Sequence, residues 1–196
     1  PVVALDLPSG VDATTGRVDG AAVRADVTVG FGWPKLGLLL HPARQHCGRL
    51  LAVEIGFPPA VADGFGAHAI TPRLALRHLP QRTPDAHKGS AGRLLVLAGG
   101  AGMAGAAAIT AAAAQRAGAG LVRIASAAAN HTALHALVPE ATLTDWNTLS
   151  RDDVGVVQAA VAGPGLGQDG HARGALERLF IHAKDTPLLL DADALN

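Results

Sequence analysis

The chain has 196 residues, and its 16 Lys and Arg residues balance its 16 Asp and Glu residues. Balanced charge gives no reason to expect nucleic acid or a membrane surface as a partner. No apolar run reaches the roughly 20 residues that a bilayer-spanning helix needs, and the single cysteine, Cys47, excludes an internal disulfide. We therefore expect a globular, cytoplasmic protein.

Residues 1–60 are predicted to form short strands joined by turns. Apolar runs that end in Gly, Pro or Asp predict strands over residues 2–5, 25–31 and 50–55. From residue 57 to residue 84, proline and glycine interrupt every apolar period, which is typical of a boundary between domains. We therefore predict a first domain over 1–60, a linker and the start of a second domain over 61–84, and the rest of the second domain over 85–196.

Strands and helices alternate in the predicted second domain. Apolar runs predict strands over residues 93–98, 121–125, 156–162 and 188–190, and periodic or Ala-rich segments predict helices over 103–117, 131–137 and 171–183. This alternation predicts an α/β fold with a mainly parallel sheet that is covered on both faces. In such sheets, ligands bind beyond the carboxyl ends of the strands.

Asp6 follows the first predicted strand and opens the segment Asp6-Leu7-Pro8-Ser9-Gly10. A carboxylate in this place can act as an acid or base, or hold a hydroxyl group. The Ser9 hydroxyl and the carbonyl oxygens of the turn suit a hard cation. The alternative is a local turn in which Asp6 hydrogen-bonds its own backbone. Residue chemistry by itself leaves both interpretations open.

The segment Gly100-Ala101-Gly102-Met103-Ala104-Gly105 has the G-x-G-x-x-G spacing between a predicted strand and a predicted helix. Glycines let a ligand approach the backbone, and a helix N-terminus favours an anion. The acidic residue of a dinucleotide fingerprint is absent after the next strand, where Ser126-Ala127-Ala128 stands. The motif therefore leaves three interpretations: a site for another ligand, a tight turn, or an ordinary NAD-binding Rossmann site.

Three further segments are candidates for contacts with phosphate, metal or hydroxyl groups. Lys88 stands before the strand over 93–98 and could contact a phosphate, but it lacks the Walker A spacing and could equally be a solvated lysine. The runs Gly163–Gly167 and Asp191–Asp193 both follow predicted strands, where glycines make room for a ligand and aspartates supply contacts. The two aspartates could instead cap a following helix.

Taken together, these segments resemble a known family. ALDLPSGVDATTG (4–16) and ADVTVGFGWPKLGLLLHPARQHCGRLLAVEIGFP (25–58) resemble the closing third of the NAD(P)H-hydrate epimerase domain. HKGSAGRLLVLAGGAGMAGAAAITAAAAQRAGAGLVRIAS (87–126), followed by VPEA, AGPGLGQ and LLLDADALN, resembles the front half of the ADP/ATP-dependent NAD(P)H-hydrate dehydratase domain. That domain belongs to the ribokinase-like superfamily, and many bacterial proteins fuse the two domains in this order.

The resemblance implies a partial Rossmann-like epimerase domain over 1–60 and a partial ribokinase-like dehydratase domain over 85–196. The epimerase interconverts the R and S forms of hydrated NADH or NADPH. The dehydratase uses ADP or ATP, with Mg²⁺, to return the S form to the dihydronicotinamide. The expected partners are therefore these hydrates and an adenine nucleotide, and we also expect a homo-oligomer.

The same resemblance assigns site residues. Asp6 matches a substrate-contacting aspartate and a candidate acid or base, and Ser9 matches a ligand of K⁺. Ala106 and Gly165 match substrate contacts in the dehydratase. The residues that fall in motifs near its nucleotide are Lys88, Asp191, Asp193 and Asn196.

Other function classes stay open at this point. A ribokinase-like small-molecule kinase would share the second domain but would leave residues 6–58 unexplained, and an ordinary NAD-dependent oxidoreductase lacks its acid. A binding protein with an epimerase-like fold would not need Asp6. The chain starts at Pro1, stops at Asn196 and lacks family motifs on both sides. We therefore expect a fragment without either activity, because each site is assembled from both halves of its domain.

Overall fold

The computed structural model describes residues 1–79 and 83–196. The chain divides into two compact units, Pro1–Leu74 and Ala75–Asn196, and a short helix α1 (Pro72–His78) spans the division. The division falls within 61–84, the range predicted as the linker and the start of the second domain, and residues 80–82 of that range lie outside the described residues. In the described ranges, no helix is long and apolar enough to cross a membrane.

The first unit contains a three-stranded parallel sheet in the order β1-β2-β3. Its strands are β1 (Val3–Leu5), β2 (Val27–Phe31) and β3 (Arg49–Val53), which confirms the three predicted strands with ends that differ by a few residues. Short 3-10 helices cover Leu36–Leu39, Ala43–His46 and Pro59–Ala62. Because all three strands run the same way, the segments that follow β1 and β2 begin at the same edge of the sheet.

One face of this sheet carries the core of the first unit. Ala4 is buried while its neighbours Val3 and Leu5 are 57% and 68% exposed, as expected when strand side chains alternate between faces. The buried cluster comprises Val11, Leu38, Ala43 and Cys47. The buried Thr28 joins it, since its hydroxyl donates to the Cys47 carbonyl oxygen at 2.8 Å. This packing fixes the turns that follow β1 and β2.

The second unit contains a five-stranded, fully parallel sheet in the order β6-β5-β4-β7-β8. The strands are β4 (Arg93–Leu97), β5 (Leu121–Ser126), β6 (Thr142–Asp145), β7 (Ala159–Ala162) and β8 (Leu188–Leu190). The helices are α2 (Ala104–Ala117), α3 (His131–Leu137), α4 (Arg151–Val154) and α5 (Gly170–His182). The predicted strands and helices are confirmed, and β6 and α4 are additional.

Helices cover both faces of this sheet, as the apolar strands predict. Leu95 and Leu97 of β4 pack in one cluster with residues of α5, including Leu179. Val96 and Ala98 face the other way, into a cluster that includes Ala107 of α2 and Leu134 of α3. The alternation along β4 therefore separates two apolar cores, one on each face.

The strand order has a reversal beside β4. From β4 the chain proceeds to β5 and β6 on one side, and then crosses to β7 and β8 on the other side. A crevice forms outside the carboxyl ends of the strands where such an order reverses, and ligands of open α/β sheets bind there. A ligand site is therefore expected at the loops that follow β4 and β7.

Candidate functional site

The loops that follow β4 and β7 hydrogen-bond each other through their backbones. The Gly99 amide donates to the Pro164 carbonyl oxygen at 3.1 Å, and the Gly100 amide donates to the Gly165 carbonyl oxygen at 2.7 Å. Because β4 and β7 are paired in parallel, both glycine runs leave the sheet at one edge. The two glycine segments predicted from the sequence thus lie against each other at the carboxyl edge of the sheet.

A buried asparagine fixes the loop after β4. Asn130 is 3% exposed, and its side-chain nitrogen donates to the carbonyl oxygens of Gly99 and Gly100, both at 2.8 Å. Its side-chain oxygen accepts from the Gly102 amide at 3.2 Å. Sequence reasoning missed Asn130, although it follows β5, whose carboxyl end lies beside that of β4. The sequence signal that could have indicated Asn130 is its polar side chain in a loop at the same edge of the sheet.

Several glycines of the lining are required by close packing. A Cβ atom added at Gly165 would lie 2.7 Å from the Cβ of Ala106, and Gly165 has a φ of 57°. A Cβ added at Gly100 would lie 2.7 Å from the Leu166 carbonyl oxygen. The structure therefore brings Ala106 and Gly165, the two predicted substrate contacts, side by side. It also gives Gly165 a packing role that does not depend on any ligand.

Other glycines of the lining face open space. A Cβ added at Gly102, Gly105 or Gly167 would meet no described atom within 4 Å. Met103, at the N-cap of α2, makes no side-chain capping hydrogen bond. The first amide groups of a helix have no partner within the helix, so they favour an anion. Room for a ligand and uncapped amides thus occur together at the start of α2.

The loop after β8 joins the same edge through Asp193. One carboxylate oxygen of Asp193 accepts from the Gly167 amide at 2.9 Å, whereas the Asp191 side chain makes no capping bond to the 3-10 helix Ala192–Leu195. The side-chain nitrogen of Asn196 reaches the Ala192 carbonyl oxygen at 3.5 Å. Asp193 therefore ties two loops together, and Asp191 is not engaged as the helix cap that the alternative interpretation required.

Lys88 lies at the opposite edge of the sheet. It precedes β4 and therefore stands before the amino end of that strand, next to Gly120 at the start of β5. The Gly120 amide donates to the carbonyl oxygens of Ala91 at 3.1 Å and of Gly92 at 3.0 Å. The structure does not bring Lys88 together with the glycine loops at the carboxyl edge. Its predicted nucleotide contact stays a prediction.

Asp6 is held across the carboxyl edge of the sheet in the first unit. One oxygen of its carboxylate accepts from the Phe31 amide at 3.1 Å and from the Lys35 ammonium group, with which it forms an ion pair. The Asp6 backbone has a φ of 66°, a left-handed conformation that Asp tolerates better than most residues. The carboxylate therefore bonds to the end of β2 rather than in the local turn that was the alternative interpretation.

The ion pair controls the charge of Asp6. The hydrogen bond from Lys35 is the main cause that lowers the pKa of the Asp6 carboxyl; partial desolvation opposes it, and the Phe31 amide and the charge of Lys35 reinforce it. Lys35 also donates to the Phe31 carbonyl oxygen at 3.2 Å. Sequence reasoning missed Lys35. The signal was a charged residue in Trp33-Pro34-Lys35, just after the strand that neighbours β1.

Ser9 lies in the exposed turn after β1. Its carbonyl oxygen accepts from the Val23 amide at 2.9 Å, and its hydroxyl hydrogen-bonds no other described residue. The ordered local turn of this segment is formed by Asp12 instead, whose carboxylate accepts from the Thr14 amide at 3.0 Å and the Thr15 amide at 2.7 Å. Across the described ranges, no group of three or more His, Cys, Asp and Glu side chains could hold a metal ion.

Comparison with known proteins gives matches for both units. The family model described as NAD(P)H-hydrate dehydratase matches residues 94–196, just over half of the chain. The model described as YjeF-related protein N-terminus matches residues 1–37. The whole chain is 38% identical to the bifunctional NAD(P)H-hydrate repair enzyme Nnr of Coxiella burnetii, of which it covers 40%. The chain thus spans about 40% of the length of the curated relatives it matches.

Two solved structures share the fold. A ribokinase-like superfamily protein from Enterococcus faecalis matches with a TM-score of 0.56 and 29% identity, over 60% of this chain and 42% of its own. The ADP/ATP-dependent NAD(P)H-hydrate dehydratase from Bacillus subtilis, co-crystallised with ATP and Mg²⁺, matches with a TM-score of 0.55 and 31% identity, over 64% of this chain and 46% of its own. The predicted ribokinase-like α/β fold is confirmed.

Proposed function

The chain belongs to the NAD(P)H-hydrate dehydratase family, and we propose that its second unit takes part in ADP- or ATP-dependent dehydration of S-hydrated NADH or NADPH. In this reaction the terminal phosphoryl group of the nucleotide passes to the added hydroxyl group. Phosphate then leaves, the ring loses a proton, and the double bond of the dihydronicotinamide returns. The nucleotide is consumed as a co-substrate.

The observation that carries the proposal is the convergence of three loops at one edge of the sheet. The glycine runs after β4 and β7 bond each other, and Asp193 after β8 bonds the second of them. Phosphoryl transfer depends on positioning and on the stabilisation of negative charge. Open glycines beside uncapped helix amides supply both, which supports a role in holding phosphate groups.

Each site residue is assigned a contact in this reaction from its position in the fold. Ala106 and Gly165, which pack against each other beside the start of α2, contact the hydrated nicotinamide nucleotide. Asp191, Asp193 and Asn196 lie on the nucleotide side, where carboxylate oxygens suit the Mg²⁺ that accompanies a nucleotide. Lys88 keeps its predicted contact with the nucleotide as a separate proposal, because it stands at the other end of β4. Substitution of Lys88 by Ala tests it.

The first unit is proposed to serve the epimerisation of R- and S-hydrated NAD(P)H. The match of residues 1–37 to the YjeF-related N-terminus supports this, as does the bifunctional repair enzyme among the relatives. Asp6 contacts the substrate and exchanges a proton with it, since its carboxylate is ionised and about one-third exposed at the sheet edge. Residues 1–60 then correspond to part of the epimerase domain, residues 61–84 to the linker and the start of the second domain, and residues 85–196 to part of the dehydratase domain.

We propose that Ser9 is a ligand of K⁺. Hard cations prefer neutral and charged oxygen ligands. The Ser9 hydroxyl is exposed and makes no bond to the described residues, so it fits such a ligand, with the carbonyl oxygens of the turn beside it. The ion would neutralise charge near the substrate. We also propose a homo-oligomer in the cytoplasm, which light scattering and cell fractionation would test.

The experiment that tests the proposed function uses the complete gene product. A mixture of R- and S-hydrated NADPH is supplied with ATP or ADP, and the return of dihydronicotinamide absorbance is followed. We expect rapid conversion of both epimers. After substitution of Asp6 by Ala, the S form should still convert rapidly and the R form only at the spontaneous rate of epimerisation. No nucleotide-dependent recovery would contradict the dehydratase assignment and favour the ribokinase-like kinase.

A further inference from the structure

Lys35 meets Asp6 at the edge of the sheet in the first unit through a contact that no sequence motif indicated. The Lys35 ammonium group forms an ion pair with one carboxylate oxygen of Asp6 and donates to the Phe31 carbonyl oxygen at 3.2 Å. The Phe31 amide donates to the same Asp6 oxygen at 3.1 Å. Lys35, Asp6 and the end of β2 therefore form a closed set of polar contacts.

The backbone that carries Lys35 is fixed by packing on both sides. Lys35 precedes the 3-10 helix Leu36–Leu39, in which Gly37 and Leu38 are buried. The Gly37 amide donates to the Ala13 carbonyl oxygen at 2.8 Å. A Cβ added at Gly37 would lie 2.7 Å from that oxygen, so the two segments are in close contact. This packing holds the base of the Lys35 side chain beside Asp6.

An aromatic cluster fixes the other side of the segment. The Trp33 ring stacks on Phe57 with ring centres 5.8 Å apart, and Phe65 meets it edge-on at 5.5 Å. Such pairs contribute beyond simple burial of area. Trp33 stands two residues before Lys35, so the cluster restricts the loop that presents the ammonium group. A lysine on a restricted loop has a defined direction, which a solvated surface lysine lacks.

We propose that Lys35 is a positioning residue of the epimerisation reaction, which holds the Asp6 carboxylate ionised and aimed at the hydroxyl group of the bound hydrate. This inference rests on the proposed function of the first unit and adds a residue to it. Asp6 can exchange a proton with the hydroxyl group when its carboxylate is charged and one of its oxygens is free. Lys35 and the Phe31 amide bind the same oxygen, Oδ1, and no described group donates to Oδ2.

The pH dependence expected for epimerisation follows from the groups that act on the Asp6 carboxylate. Of the charged side chains in the described ranges, Lys35 is the one whose field lowers the pKa of Asp6, and its hydrogen bond is the larger effect. The other contact from β2 is the neutral Phe31 amide. Loss of the Lys35 charge should therefore raise the pKa of Asp6, because the remaining desolvation disfavours the carboxylate.

The test compares Lys35→Met and Lys35→Arg in the complete gene product. Epimerisation of the R form is followed by chromatographic separation of the two epimers without nucleotide, so that dehydration does not contribute, and the spontaneous rate is subtracted at each pH. We expect kcat/KM of the parent to stay flat from neutral pH down to about pH 4.5. For Lys35→Met we expect a loss of about ten- to a hundredfold, with an acid limb displaced to higher pH.

Two further variants make the outcome decisive. Lys35→Arg keeps the charge and should restore the flat profile. Arg17→Met removes an exposed ion pair with Asp19 in the same unit and should match the parent throughout. If the parent epimerises and folded Lys35→Met shows the parent's profile, the inference on Lys35 is wrong while the proposed function stands. If the parent itself shows no epimerisation, the proposed function of the first unit fails instead.

Discussion

Asn130 stands 31 residues after Gly99, and its side-chain nitrogen donates to the Gly99 carbonyl oxygen at 2.8 Å. With its bonds to Gly100 and Gly102, this buried side chain satisfies three backbone groups of a loop that has no secondary structure of its own. Glycine-rich loops lose much conformational entropy when they are ordered. The hydrogen bonds of Asn130 offset part of that cost and hold the loop in one conformation.

Substitution of Asn130 by Ala should destabilise the complete gene product by about 1–3 kcal/mol, because three hydrogen bonds of a buried side chain are lost. The Gly99 and Gly100 carbonyl oxygens still accept from the Ala127 and Met103 amides, whereas the Gly102 amide loses its partner. Thermal unfolding measures the change. Asn147, which is exposed and bonds Asp145, is the matched control; its replacement by Ala should cost less than about 1 kcal/mol. Equal effects of the two substitutions would contradict the role of Asn130.

Substitutions at Gly165 and Gly167 compare a glycine that close packing requires with a glycine that faces open space. Gly165→Ala places a Cβ 2.7 Å from that of Ala106 at a left-handed φ, so we expect a loss of about 2–4 kcal/mol. Gly167→Ala has a φ of 83° but open space, so we expect about 1–2 kcal/mol. Adding Ala106→Gly to Gly165→Ala should restore part of the stability in a double-mutant cycle. An additive cycle would show that the two residues do not press on each other.

Asp193 can act by holding the loop after β7 or by binding the nucleotide with its Mg²⁺. Asp193→Asn keeps an acceptor for the Gly167 amide but removes the charge, whereas Asp193→Ala removes both. If the charge matters, both variants should lower kcat of dehydration by about a hundredfold. If the loop contact alone matters, Asp193→Asn should retain most of the parent's activity. Steady-state kinetics of the S-hydrate with varied ATP distinguishes the two.

The ion pair of Asp6 predicts how stability depends on pH. In the folded chain the Lys35 hydrogen bond holds the pKa of the Asp6 carboxyl below its ordinary value of 3.8. Its contribution is therefore fully present above about pH 5 and is lost as pH falls through the unfolded-state value and then the folded pKa. Asp6→Asn should cost less than about 1 kcal/mol at neutral pH, because the pair is partly exposed. The difference between parent and variant should vanish in acid-unfolding curves at low pH.

The sequence predicted the parallel sheet of the second unit because its strands are continuous apolar runs. The run RLLVLA contributes residues to both apolar cores. A strand that packs on both faces must be apolar at successive positions, and the sequence shows such a run. The edge strand β6 (Thr142–Asp145) escaped prediction because its TLTD sequence has one apolar residue and is only partly buried. The predicted strand over 156–162 begins later, at Ala159, since residues 156–158 connect α4 to β7.

Site residues whose type is unusual for their position could be predicted from the sequence. Residues of a common type that contact a partner far away along the chain could not. Glycine runs at strand ends and Asp6 stood out in the sequence. Asn130 and Lys35 did not, because each acts on a partner 29–31 residues away. Only the pairing of β4 with β5, and of β1 with β2, brings those residues together. Strand order therefore carries information that the spacing of motifs along the chain does not.

The most direct test of the central claim is a stoichiometric assay of the complete gene product with purified S-hydrated NADPH and ATP with Mg²⁺. We predict that each molecule of dihydronicotinamide regained is matched by one ADP and one inorganic phosphate, with no phosphorylated intermediate accumulating. ATP consumption with a stable phosphorylated product and no recovery of dihydronicotinamide absorbance would contradict the claim. It would show that the glycine-lined crevice serves a small-molecule kinase.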